Sequence, residues 1–252
     1  MRGYRRFILI EPLQGEICAE LEDDYHRMVV ILQHRDGIVT RVTSEMKRAP
    51  WTSCPGAMAQ LEATFLGQRL ADFGRRGERP ANCTHLHDLA LFAAAHADDA
   101  HPLRYEIFVS DPQADGQREA RLSRNGAALF GWTLVDRDII APAALADRSL
   151  ADLGEWIATL DRADAEAARI LRWASIVALG RTMQIPAGLS ATAFPAGTCY
   201  TFQPERAVWS KRLPGADIDF SAPDMVPLAD RSEIFSQPSL QAENLLPSGS
   251  RK

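Results

Sequence analysis

His26-Arg27-Met28-Val29-Val30-Ile31-Leu32-Gln33-His34-Arg35-Asp36-Gly37-Ile38-Val39-Thr40-Arg41-Val42-Thr43 reads as two strands and the turn between them. Valine, isoleucine, leucine and threonine fill both arms, and Asp36-Gly37 is a dipeptide that tight hairpin turns favour because it tolerates positive φ. Working back, Ile17 to Leu32 is rich in strand formers. Ile17, Ala19 and Leu21 alternate with Cys18, Glu20 and Glu22, which gives one dry and one wet face. Asp23-Asp24 breaks that stretch into two strands. Phe7 to Ile10 is an earlier buried strand closed by Pro12 and Gly15. Neighbours joined by tight turns make an antiparallel meander.

Working forward, Ala49-Pro50-Trp51-Thr52-Ser53-Cys54 ends the strand pattern, and a helix is expected from about Pro55, with Met58, Leu61 and Phe65 at helical spacing and Gly67 as its stop. The polar loop from Gly74 to Pro80 leads to Cys83, where Asn82 or Thr84 is expected to cap a helix over Leu86–Ala97. Strands are expected again at Tyr105–Val109, Arg118–Ser123 and Leu129–Val135, then two helices near Leu150–Leu160 and Ala163–Arg181. From Pro186 onward Pro, Gly, Ser and Ala dominate, with Thr198–Phe202 as a brief strand or clasp. The expected fold is α+β, an antiparallel β-meander with helices packed on one face. It forms a single domain over 1–220, followed by an extended C-terminal tail over 221–252.

The chain of 252 residues is 46% hydrophobic and 24% charged, which fits a soluble globular protein. A net charge of −5 gives no reason to expect nucleic acid or an anionic membrane as partner. No apolar run approaches the ~18 residues that span a bilayer. The start, Met1 to Ile10, is basic and then apolar. Its apolar part is short and Glu11-Pro12 ends it, so a strand is expected there and not a signal peptide. Four cysteines are too few for a disulfide scaffold, and a reducing cytoplasm is expected. A small-molecule substrate and a homo-oligomer complete the expectation for partners.

Chemistry concentrates in two stretches, Arg48 to Ala57 and Asn82 to Asp88. Each places a cysteine, Cys54 or Cys83, at an expected helix start, where free N–H groups and the helix dipole favour a thiolate. With His85 these two thiols make a donor set for zinc, or for iron with an open position. Asp24 and His26, two apart, are expected to serve as acid and base near Cys54. Trp51, His87 and Tyr200, with Phe108 and Trp132, are candidates to line a substrate pocket. The same cysteines also suit plain packing as small buried side chains. No nucleophile elbow, phosphate loop or dinucleotide fingerprint is present.

Four blocks, Leu21 to His26, Ala49 to Ala57, Cys83 to Leu86 and Cys199 to Pro204, resemble the uncharacterised bacterial family DUF2889. That resemblance covers about Tyr4 to Phe220 and implies one domain, without implying an activity. More distantly, the strand hairpin followed by two cysteine-bearing helix starts resembles the NifU-type iron–sulfur scaffold. Carried over, that likeness implies Asp24, Cys54 and Cys83 as ligands, although here the histidine follows its cysteine and no cysteine stands at Glu22. The expected function is a metal-dependent enzyme of the lyase or hydrolase type, holding zinc or iron. It would act on a small, fairly apolar or aromatic metabolite in bacterial catabolism. An iron–sulfur or sulfur carrier and a non-enzymatic binding protein are the alternatives.

Overall fold

The computed structural model of the chain describes residues 1–75, 77–222 and 224–231. Eight strands form one sheet: β1 (Gly3–Leu13), β2 (Glu16–Asp23), β3 (Arg27–Arg35), β4 (Ile38–Arg48), β5 (Leu103–Ser110), β6 (Gln117–Arg124), β7 (Ala127–Val135) and β8 (Asp138–Ala141). Their order is β4-β3-β2-β1-β5-β6-β7-β8, with every neighbouring pair antiparallel. Two four-stranded meanders are therefore sewn together where β1 pairs β5. The link between them carries α1 (Ala57–Phe65) and α2 (Thr84–Ala95). After β8 come α3 (Gly154–Ala158), α4 (Arg162–Ala178) and the single turn α5 (Pro204–Ala207). The α+β class and the antiparallel sheet expected from the sequence are the ones the chain forms.

Period-two alternation decides which side chains meet the helices. Ile8 and Ile10 of β1 stand opposite Leu21 and Ala19 of β2, and Ile8 stands opposite Tyr105 of β5. All five are buried in one continuous core. Helix α2 lies on β1–β3 and buries Leu86, Leu89, Ala90 and Ala93. Helix α4 lies on β5–β7 and reaches β1. It is capped by Asp161, whose carboxylate accepts from the Asp164 N–H, and it is pinned to β7 by the Trp132 indole, which donates to Ser175 Oγ at 3.1 Å.

Several boundaries differ from expectation for local reasons. The helix expected over Leu150–Leu160 is only Gly154–Ala158, because the Leu150 N–H donates to Arg137 O beyond β7 and holds that segment in turns. Strand β8 carries no periodic signal of its own. Helix α2 begins at Thr84, with Cys83 as an N-cap that makes no side-chain cap bond; the Asn82 amide is spent on Thr64 Oγ1 and Glu78 O instead. Glu20 and Glu22, expected on a wet face, are buried. Arg27 and Arg48 pair with them, and Arg231 and the Leu228 N–H reach them from the end of the described chain. Of the expected tail, residues 223 and 232–252 lie outside the described residues. Among the described residues no helix is long and apolar enough to cross a membrane.

Candidate active site

The alternation that buries Ile17, Ala19 and Leu21 runs on to Asp23, and the one that buries Ile8 and Ile10 runs back to Arg6 and Tyr4. Three polar side chains thus sit on the dry, helix-facing side of the sheet, with Arg6 directly opposite Asp23. The Asp23 Oδ2 accepts from Tyr4 Oη at 2.7 Å and from Arg6 Nη2 at 2.6 Å and Nε at 3.0 Å. Its Oδ1 accepts the Tyr25 and His26 N–H groups, each at 2.8 Å. Those two bonds close a tight turn that swings the His26 ring back onto the carboxylate, with Nδ1 to Oδ1 at 3.0 Å. The first turn of α2 delivers His85 from above. Its ring lies 3.9 Å from the His26 ring, centroid to centroid, tilted by 31°. Arg6 Nη2 reaches His85 Nε2 at 3.0 Å.

These contacts fix the protonation pattern. Burial alone would raise the Asp23 carboxyl, but His26 and Arg6 beside it hold it well below the usual carboxylate range. An ionised carboxylate only accepts, so neutral His26 carries its proton on Nδ1 and leaves Nε2 bare. A guanidinium only donates, so His85 accepts at Nε2 and carries its proton on Nδ1. Burial, then the neighbouring His26 and Arg6, push His85 well below the ordinary imidazole value, and it stays neutral. The cluster is a carboxylate–imidazole pair, a second imidazole held neutral, and a guanidinium that balances the buried charge.

A cavity of about 720 Å³ adjoins the cluster, between α2, α4 and the sheet. Arg6 and His85 lie on its lining, together with Arg79, Asp88, Arg172, Trp173 and the rings of Phe73 and Phe92. Arg79 grips Asp88 through Nε and Nη2, both at 2.8 Å, and lies 4.4 Å over the Trp173 ring. That size and mixture suit a small organic ligand.

The residues singled out from the sequence do not fall in one place. His26 and His85 meet in the cluster. Asp24 does not: it follows the end of β2, where it accepts from Arg181, just past α4, and from the Arg5 N–H of β1. The carboxylate beside His26 is Asp23, and its phase with Ile17, Ala19 and Leu21 was the available signal, as the phase of Ile8 and Ile10 was for Arg6 and Tyr4. Cys54 and Trp51 belong to a second small core. There Cys54 Sγ lies 3.4 Å from Thr201 Oγ1, and Trp51 packs edge-on against Phe194 and Phe202. Tyr200 closes over Gly56, where a Cβ would come within 2.6 Å of its hydroxyl, and its N–H donates to Asn82 O. His87 is buried against Phe65, with neither ring nitrogen hydrogen-bonded. None of Trp51, His87 and Tyr200 lines the large cavity.

Burial also overrides the helix-start effect on the thiols. Cys54 is pushed up to about 11 by desolvation, and Cys83 is raised by desolvation and by the nearby Cys54 and Cys199. Both are thiols at neutral pH, where the helix starts alone favoured thiolates. Among the described residues one group of three His, Cys, Asp or Glu ligand atoms lies within 4.8 Å, and it is Asp23, His26 and His85, without a cysteine. Compared with models of known protein families and with curated proteins, the chain matches none.

Proposed function

We propose that this chain is an enzyme of the lyase or hydrolase type acting on a small, fairly apolar or aromatic metabolite, with proton transfer carried by His26, oriented by Asp23 and flanked by His85. The supporting observation is the buried Asp23–His26 pair stacked against a neutral His85 that borders a cavity of ligand size. Asp23 orients His26 through Nδ1, so the bare Nε2 is the base. In a hydrolysis that nitrogen takes a proton from water and returns it to the leaving group; in a lyase reaction it takes the proton from the substrate. The neutral His85 donates from Nδ1 to oxygen that gains negative charge, a role open to imidazole and not lost to titration near neutral pH. A bacterial, cytoplasmic and catabolic setting is part of the same proposal, and the DUF2889 resemblance bears on its bacterial part alone. Its four blocks also meet in pairs, His26 with His85, and Cys54 with Thr201.

The test is turnover of a panel of small aryl esters, amides and hydroxy acids by the native chain and by His26→Asn. General base catalysis contributes roughly 10²–10⁴-fold, and the variant is expected to lose at least the lower figure. A folded H26N with native turnover would refute the assignment.

One observation favours a second reading, a metal-dependent enzyme of the same class. Two imidazoles and a carboxylate within 4.8 Å suit zinc or iron with open positions. Against it, the Arg6 guanidinium already stands between Asp23 and His85 and supplies the positive charge there. Elemental analysis divides the two: one equivalent of zinc or iron, lost in His85→Ala along with activity, supports the metal. Full activity in chelator supports proton transfer alone.

A further inference from the structure

We infer that the cavity between α2 and α4 binds a small carboxylate with an apolar, aromatic body, the carboxylate seated on Arg172 and the body between the apolar walls. This rests on the enzymatic reading of the same cavity and names its substrate class.

Charge bookkeeping of the lining carries the inference. Five arginines line the cavity (Arg6, Arg79, Arg162, Arg169 and Arg172) against two acids, Asp88 and Glu166, in a chain whose net charge is −5. Arg6 is matched by Asp23 and Arg79 by Asp88. Glu166 is engaged elsewhere, accepting from His96 and from the Tyr105 hydroxyl, each at 2.8 Å. Arg162 and Arg169 stand exposed at the rim. Arg172 differs from all of these. It is half-buried and bonds only carbonyls, through Nε to Leu150 O and through Nη2 to Ala151 O at 3.3 Å. Among the described residues no carboxylate pairs with it, and its Nη1 has no protein acceptor.

A half-buried guanidinium without a counter-charge is only partly compensated by solvent, and burial and the nearby Arg79 accordingly lower its proton affinity, with only Asp152 pulling the other way. An anion entering the cavity completes that compensation. The neighbouring Trp173 adds a second unmet group, an indole N–H buried without a partner. Of the arginines on the lining without a matching acid, Arg172 alone is drawn in from the surface, which suits one monoanionic group, and its planar guanidinium matches a carboxylate. Phe73, Phe92, Ile157 and Ile170 supply the apolar wall. Arg6 and His85, on the same lining, then meet the ligand elsewhere along its length.

Calorimetric titration of the full chain with benzoate, phenylacetate and 3-phenylpropionate, and with their primary amides, tests this. At least one carboxylate is expected to bind with a Kd below about 10 mM and at least about tenfold more tightly than its amide, since a charge-assisted pair is at stake. Arg172→Gln is expected to abolish that preference, and Arg172→Lys to keep part of it. His26→Asn is expected to bind as the native chain does, so a failure of catalysis with binding intact would fall on the proposed reaction and not on the ligand class. Equal binding of carboxylate and amide, no binding by any of the three carboxylates, or a preference surviving in folded R172Q would overturn the inference. If R172Q does not fold, the native carboxylate-to-amide ratio decides alone.

Discussion

At the scale of single residues, Asp23 is the side chain on which the most depends. It accepts from six N–H and O–H groups of four residues while fully buried, so removing its charge strands Arg6 in the core. Breaking such a buried pair costs about 3–5 kcal/mol. Asp23→Asn is therefore expected to lower the unfolding free energy by that order in denaturant titration, whereas loss within about 0.5 kcal/mol would mean the pair is not formed. The pH dependence has a definite sign. Asp23 contributes stability that is complete above about pH 4 and lost as pH falls through its depressed folded value. His85, depressed from about 6.5, likewise contributes stability that is complete above that pH and lost on acidification. His96, raised by Glu166 and Asp99 against its own burial, works the other way, stabilising below about 6.5 and less so as pH rises through its raised value. Comparing the native chain with His85→Asn cancels His96. The native advantage in Tm is expected to shrink between about pH 7 and pH 5, and a constant difference would contradict a neutral His85.

At the scale of elements, the seam between β1 and β5 holds the two meanders together. Gly3 lies so close to Val109 O that a Cβ there has no room, and Ser110 Cα and Phe108 Cε2 stand 2.8 and 2.9 Å from the same point. Two of these neighbours are backbone and cannot rotate away. Gly3→Ala is expected to cost about 1–3 kcal/mol, read as a lower denaturation midpoint, and an unchanged midpoint would mean the seam opens locally. The strands were legible because alternation and the Asp36-Gly37 turn act locally. The true start of α2 was not, because the amide of Asn82, an expected cap, is drawn into bonds with Thr64 and Glu78 instead. The carboxylate of the cluster was half legible. The alternation over Ile17–Leu21 reaches Asp23, but adjacent acids read naturally as a solvated turn, and only the paired register with Arg6 separates Asp23 from Asp24.

At the scale of the molecule, the chain brings together what sequence distance hides. The first strand, the β2–β3 turn and the first turn of α2 supply Arg6, Asp23, His26 and His85, while α4, far along the chain, supplies Arg172 and Trp173 to the adjoining cavity. No local pattern announces such a cavity, because the arginines of α4 read as ordinary helix-surface charge until α2 is packed beside them. The two cysteines, prominent in the sequence, stay thiols outside the cluster, and burial explains why their helix-start positions do not activate them.

In the proposed site His26 offers a bare Nε2 while His85 remains neutral with its proton on Nδ1. Long-range proton–nitrogen spectra of the histidine rings, recorded on the native chain between about pH 5 and pH 8, read both tautomers directly. The expected result is a neutral, Nδ1-protonated His85 across the whole range and a neutral form of His26 protonated at Nδ1. A His85 that titrates near 6.5, or a His26 that carries its neutral-form proton on Nε2, would contradict the account.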